Sequence, residues 1–95
     1  MIYEFENKIK IGNKFIGDKF PTFVIAEIGI NHLGNKNLCL QMIKSAIKAG
    51  ADAVKLQIID AMDSYSVETE SYKVFSKFAL SYKDLIFINN YCKKK

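Results

Sequence analysis

The stretch Phe23-Val24-Ile25-Ala26-Glu27-Ile28-Gly29-Ile30-Asn31-His32 decides the fold. Apolar residues fill its first half, one carboxylate interrupts it, and it runs out into a polar, glycine-containing loop. That order reads as a buried parallel strand delivering Glu27 to the carboxyl end of a sheet, where open α/β sheets and closed barrels both place their chemistry. Ala53-Val54-Lys55-Leu56-Gln57-Ile58 repeats the design with a cation in place of the acid. Between the two, Leu38, Met42, Ile43, Ala46, Ile47 and Ala49 recur at helical spacing, so residues 36–49 are expected to be helix. Asn35 or Asn37 can cap its start, and Gly50 stands where a left-handed residue ends a helix. Only Ala51-Asp52 then leads into the second strand, a length usual in βαβ units. Such crossovers are right-handed, which makes the two strands parallel neighbours.

The two-residue period of a strand sorts the side chains. Phe23, Ile25 and Glu27 share one face and Val24 and Ala26 the other; Lys55 and Gln57 share a face opposite Val54, Leu56 and Ile58. In an open sheet covered by helices on both sides, near-continuous apolar runs would be expected. A closed parallel barrel whose lumen turns polar in its upper layer suits Glu27, Lys55 and Gln57 better.

Working outward, Lys8 to Ile16 alternates apolar and polar residues around Gly12-Asn13 and reads as a β-hairpin. Gly17 to Pro21 is its lead-in to the first core strand, with Pro21 at that strand's edge. Downstream, Asp60 to Glu70 is expected to be an irregular loop over the site, and residues 69–78 a short helix. Ser81-Tyr82-Lys83-Asp84 has the form of a capping box with Asp for Glu, and Leu85, Ile88 and Cys92 follow at helical spacing to the last residue. The expected organisation is thus a hairpin and lead-in over residues 1–21 and two βα units over residues 22–95.

The composition is that of a folded chain: 95 residues, 49% apolar and 25% charged. A net charge of +4 includes the terminal Lys93-Lys94-Lys95, and the other lysines are scattered among carboxylates, so no nucleic-acid partner is expected. The start Met1-Ile2-Tyr3-Glu4-Phe5-Glu6 is acidic and every apolar run is far shorter than the ~20 residues of a membrane span, which predicts a cytoplasmic chain without membrane partner. Cys39 and Cys92 lie in expected helices without ligand spacing and read as apolar packing residues in a reducing compartment.

Ile25-Ala26-Glu27-Ile28-Gly29-Ile30-Asn31-His32-Leu33-Gly34, the turn and strand Ala49-Gly50-Ala51-Asp52-Ala53-Val54-Lys55-Leu56-Gln57, and Leu80-Ser81 to Tyr91-Cys92-Lys93-Lys94-Lys95 resemble the N-terminal part of the sialic acid synthase family, which comprises N-acetylneuraminate, legionaminate and pseudaminate synthases. The resemblance covers nearly the whole chain. It implies an α/β fold that is a truncated N-terminal portion of a TIM (β/α)8 barrel preceded by a β-hairpin. It also implies an enzyme of carbohydrate biosynthesis that condenses phosphoenolpyruvate with an N-acetylated amino sugar such as N-acetylmannosamine and releases phosphate. A divalent metal, Mn or Mg, and a homodimer in which a C-terminal domain completes the partner's site belong to the same implication. The metal's histidine ligands lie in later strands of that family, so this chain is expected to hold none.

Carried over by motif, Glu27 matches the family's glutamate near the sugar, Lys55 its lysine binding phosphoenolpyruvate, and Gln57 its sugar-contacting glutamine. Glu27 and Lys55 are the catalytic candidates; Asn31 and His32 join Gln57 as substrate-binding candidates. A compact ammonium on a rigid strand suits an anion in a low-dielectric cavity, and a carboxylate can accept hydroxyls or manage a proton. The alternatives remain a structural Glu27–Lys55 ion pair, a Gln57 that satisfies backbone groups, and a His32 that orients its loop through hydrogen bonds. Three departures bear on sugar choice: Leu33-Gly34 replaces the usual Asn-Gly, no Asn occurs between Ile58 and Ile88, and Val74-Phe75-Ser76-Lys77-Phe78 replaces the usual Met-Leu-Lys. A closed barrel takes ~250 residues and eight strands. The chain alone is therefore expected to be catalytically silent; a non-catalytic α/β module and another TIM-barrel carbon–carbon bond-forming enzyme are the rival functions.

Overall fold

Residues 7–95 are described by a computed structural model. The hairpin forms where the alternation places it: β1 (Lys8–Ile11) and β2 (Lys14–Gly17) pair antiparallel, with Gly12 at φ +58° in the turn. The central unit is β3 (Ile25–Gly29), α1 (Lys36–Lys48) and β4 (Ala53–Leu56), and the two strands are parallel neighbours. After β4 come α2 (Ala61–Ser64), α3 (Glu70–Lys77) and α4 (Tyr82–Lys93).

The ends of α1 follow from its sequence. Asn35, not Asn37, is the cap: its Oδ1 accepts from Leu38 N–H at 3.0 Å. At the other end Gly50 takes φ +90°, its N–H donates to Ile47 O at 3.0 Å, and Ala51 N–H donates to Ala46 O at 3.0 Å. Those two bonds are a Schellman motif, which satisfies the helix's last carbonyls and needs a residue without Cβ strain at Gly50.

Several boundaries differ from the sequence reading. β3 starts at Ile25, two residues after Phe23, so Pro21 lies in the lead-in and not on the strand. β4 ends at Leu56 rather than Ile58, although Gln57 N–H still reaches Gly29 O at 3.2 Å. The segment from Asp60 is not wholly irregular, because Asp60 Oδ1 accepts from Met62 N–H at 2.9 Å and caps α2. An aspartate preceding a short run without glycine was the unused signal. Finally, α4 ends at Lys93, with Lys94 as its cap; at its start Ser81 Oγ accepts from Asp84 N–H at 3.1 Å, the first half of the expected box.

The core lies between the strand pair and the helices. Ile28, Cys39, Ile43 and Ile88 are buried together, and Val54, Leu56, Leu80, Tyr91 and Cys92 pack against them. The two free cysteines, far apart in sequence, therefore meet in one apolar cluster between α1 and α4, and burial raises both thiols above their ordinary value. Ile28, Val54 and Leu56 supply the strands' side of this layer, whereas Ile25 on the other face is 56% exposed. The radius of gyration is 17.1 Å, against about 12 Å for a compact domain of this length. One face of a two-stranded parallel sheet is packed and the other is bare.

Candidate functional site

The bare face carries the charges. Register sets Glu27 directly opposite Lys55, and Lys55 Nζ lies 3.3 Å from Glu27 Oε2. Both side chains are half-exposed or more, so the pair contributes little to stability; its significance is placement. Immediately after Glu27 the ladder shifts by one residue, so that Gly29 rather than Ile28 faces Leu56. Gly29 allows this with φ +60°. A Cβ there would stand 3.8 Å from Glu27 Oε1 and 3.9 Å from Gln57 Oε1, so the carboxylate and the amide flank the same glycine. Glu27, Lys55 and Gln57 thus converge at the carboxyl ends of β3 and β4.

Asn31 and His32 are placed differently. Asn31 is exposed in the β3–α1 loop, yet its Nδ2 donates to Ile28 O at 2.8 Å and its N–H to the same carbonyl at 3.1 Å. Its amide ties the loop to the strand end beside the charged pair. His32 is 1% exposed and points inward, so the structure does not bring it to the open face with the other candidates. Its Nδ1 accepts from Gly34 N–H at 3.0 Å, which leaves the proton on Nε2, and Nε2 has no partner among the described residues. Burial holds the imidazole below its ordinary value. The ring acts on the loop, turning the chain so that Asn35 N–H reaches His32 O at 2.9 Å and α1 can begin.

The turn after His32 is tight. Leu33 (φ +54°) and Gly34 (φ +70°) are both left-handed, and a Cβ on Gly34 would meet Phe78 C at 3.0 Å and Ala79 O at 3.1 Å. Only glycine lets the site loop lie against the end of α3. The sequence does not show this contact, because its partners are more than forty positions away. Among the described residues no three of His, Cys, Asp and Glu converge on a point, and no helix is long and apolar enough to cross a membrane.

No family model matches the chain. An uncharacterized protein of Methanocaldococcus jannaschii is 39% identical over 87 residues, which is 92% of this chain and 26% of that protein. The pseudaminic acid synthase of Campylobacter jejuni is 51% identical over 49 residues, 52% of this chain and 14% of the enzyme. The crystal structure of the N-acetylneuraminic acid (sialic acid) synthetase from Leptospira borgpetersenii, in complex with citrate, superposes with a TM-score of 0.83 at 32% identity, covering 92% of this chain and 30% of that one. The chain therefore spans about a quarter of the length of the Methanocaldococcus jannaschii protein. In sequence and in backbone alike, the chain is similar to a part of the sialic acid synthases.

Proposed function

We propose that this chain forms the opening part of a nonulosonate synthase pocket, where phosphoenolpyruvate meets an N-acetylated amino sugar such as N-acetylmannosamine. The observation that carries this reading is the opposition of Glu27 and Lys55, 3.3 Å apart at the carboxyl ends of parallel β3 and β4, with Gln57 beside them on the bare face. In a TIM barrel that end is where substrates sit, and the bare face becomes the lumen. The proposed whole is such a barrel, of which residues 22–95 are the first two βα units, preceded by a hairpin and lead-in; of the expected unit 1–21, residues 1–6 lie outside the described residues.

Lys55 is the anion-binding group. Its ammonium is held over the strand end by Glu27 and can turn to a phosphate or carboxylate, an attraction that strengthens once the lumen excludes water. In the condensation the methylene carbon of phosphoenolpyruvate bonds to the aldehyde carbon of the open-chain sugar, and the carbonyl oxygen takes up a proton. Water then adds to the former enol carbon, and the carbon–oxygen bond to phosphate breaks. Glu27 accepts sugar hydroxyls or passes the proton to the new alkoxide, and Gln57 and Asn31 orient the sugar. His32 holds the loop that carries Asn31. The divalent Mn or Mg ion implied by the resemblance does not fit these residues: His32 is the only histidine, its Nδ1 is engaged and its ring buried. The whole enzyme is proposed to be a homodimer.

The test is a chimera in which this chain replaces the matching N-terminal segment of the Campylobacter jejuni pseudaminic acid synthase. Pseudaminic acid formation is expected to persist, and Lys55→Met to lower it at least ~100-fold, the loss of a buried charge-assisted contact in the transition state. A soluble chimera indifferent to Lys55→Met would overturn the reading. The 95-residue chain alone is expected to release no phosphate from phosphoenolpyruvate.

A further inference from the structure

The bonds that fix the strand register lie at the end of the strands away from the charged pair, and they converge on one residue. Asp52 Oδ2 accepts from Val24 N–H at 2.8 Å, while Asp52 N–H and Ala53 N–H both donate to Val24 O, at 2.8 and 3.2 Å. Val24 is thus held through both its backbone polar groups just before β3 begins, by a side chain and a backbone just before β4 begins. The Ile25↔Ala53, Ala26↔Val54 and Glu27↔Lys55 pairs follow in step from that clasp. The other carboxylate oxygen of Asp52, Oδ1, takes the ammonium of Lys14 in β2, so the same side chain also ties the hairpin to the strand pair.

A register slip of one residue would turn Glu27 or Lys55 to the packed face and separate the charges. In two short strands with bare outer edges, the packing of Ile28, Val54 and Leu56 on one face is what else opposes it. Hydrophobic patterning is weak in this pair, because Ala26 and Ala53 offer small side chains and Ile25 is exposed. The short Asp side chain carries two acceptors at the distance a backbone N–H and a lysine both need, and it sits on a two-residue connection pinned by the Schellman motif at Gly50. Glu at this position would overreach; Ala would leave Val24 N–H without its side-chain acceptor.

We propose that Asp52 is the positioning residue of the site: it sets the register that places Lys55 opposite Glu27, and it latches the hairpin across the foot of the two strands. The consequence for substrate rests on the function proposed above; the register and the latch do not, and are tested apart from it.

The experiment is nuclear magnetic resonance with amide hydrogen exchange on the 95-residue chain. Asp52→Asn keeps an oxygen for Val24 N–H and loses the charge for Lys14, so Glu27–Lys55 cross-strand contacts are expected to stay while the amides of residues 8–17 exchange about tenfold faster, the loss of a charged hydrogen bond. Lys14→Met is expected to give the same hairpin effect with the strand contacts intact. Asp52→Ala is expected to lose both, with Val24 N–H also exchanging about tenfold faster. Unchanged hairpin exchange in Asp52→Asn and Lys14→Met overturns the latch. Intact Glu27–Lys55 contacts in Asp52→Ala overturn the register role; should that variant unfold, equal loss of the contacts in Asp52→Asn overturns it instead, because the retained oxygen then fails to rescue. In the chimera, Asp52→Asn is expected to keep turnover that Asp52→Ala loses, and an inactive parent chimera would fault the proposed function while leaving the exchange result standing.

Discussion

Leu33 is the residue at which local conformation and side chain disagree. It holds φ +54° while the residue is 54% exposed, so little packing compensates a conformation that asparagine or glycine adopts more readily. Leu33→Asn is therefore expected to stabilise the chain by about 1 kcal/mol in urea denaturation, the usual cost of a left-handed non-glycine residue. Its neighbour His32 makes a pH prediction. Burial lowers the folded-state value of the imidazole, so as pH falls the unfolded chain takes the proton first. The stability that depends on neutral His32 is complete above the ordinary value of about 6.5 and declines as pH drops through it toward the lowered folded value. Denaturation midpoints are expected to fall between about pH 7.5 and about pH 5.5 in the parent chain and to stay level in His32→Leu, in which nothing titrates at this position. Equal slopes in the two proteins would place the acid sensitivity elsewhere. The sequence held half of this: Asn31-His32 read as a loop at the end of a strand, and Glu27, Lys55 and Gln57 read onto one face by their spacing. Burial of His32 and the close approach of Gly34 to Phe78 are not readable in the sequence, because both are tertiary: the Gly34 contact depends on where residues 78–79 return in space.

At the scale of elements, the β3–α1–β4 unit was legible because several local signals agree there. Helical spacing, a capping asparagine, Gly50 and a two-residue connection all specify the same crossover. What spacing left open was which asparagine caps α1, and the structure decides it through the 3.0 Å bond from Leu38 N–H to Asn35. Asn35→Ala is accordingly expected to destabilise the chain by about 1 kcal/mol and Asn37→Ala to change it by no more than about 0.5 kcal/mol, as measured by chemical denaturation. Equal effects of the two would mean the cap does not hold α1 in solution. Element ends were less legible, since the β3 boundary depends on which residues find ladder partners. β3 loses Phe23 and Val24 from its start, and Val24 instead spends its backbone bonds on Asp52 and Ala53. The helix α2 is not legible in the sequence because a four-residue helix has no period, only its Asp60 cap.

At the scale of the whole molecule, the radius of gyration of 17.1 Å and the bare face of β3–β4 have one origin. A parallel sheet is stable when both faces are covered and its edges are paired, yet α1 and α4 cover one face, and β3 and β4 have each other as their only strand partner among the described residues. Ile25 on that face and Ile58 just past β4 are 56% and 69% exposed, a combination of apolar side chains and free backbone groups that promotes pairing with another chain. In the Methanocaldococcus jannaschii relative about three quarters of the protein lies outside the matched segment, room enough for strands that would cover both features. The isolated 95-residue chain is therefore expected to associate between micromolar and millimolar concentrations, seen as a rising weight-average mass in sedimentation equilibrium. Ile25→Glu puts a carboxylate beside Glu27 on the bare face and is expected to shift the chain toward monomer with its helix content kept, because Ile25 contributes nothing to the buried cluster. A parent chain that stays monomeric over that range would mean that the Glu27–Lys55 pair and the flanking loop protect the face unaided, and the reading of it as an unfinished lumen would lose its physical basis.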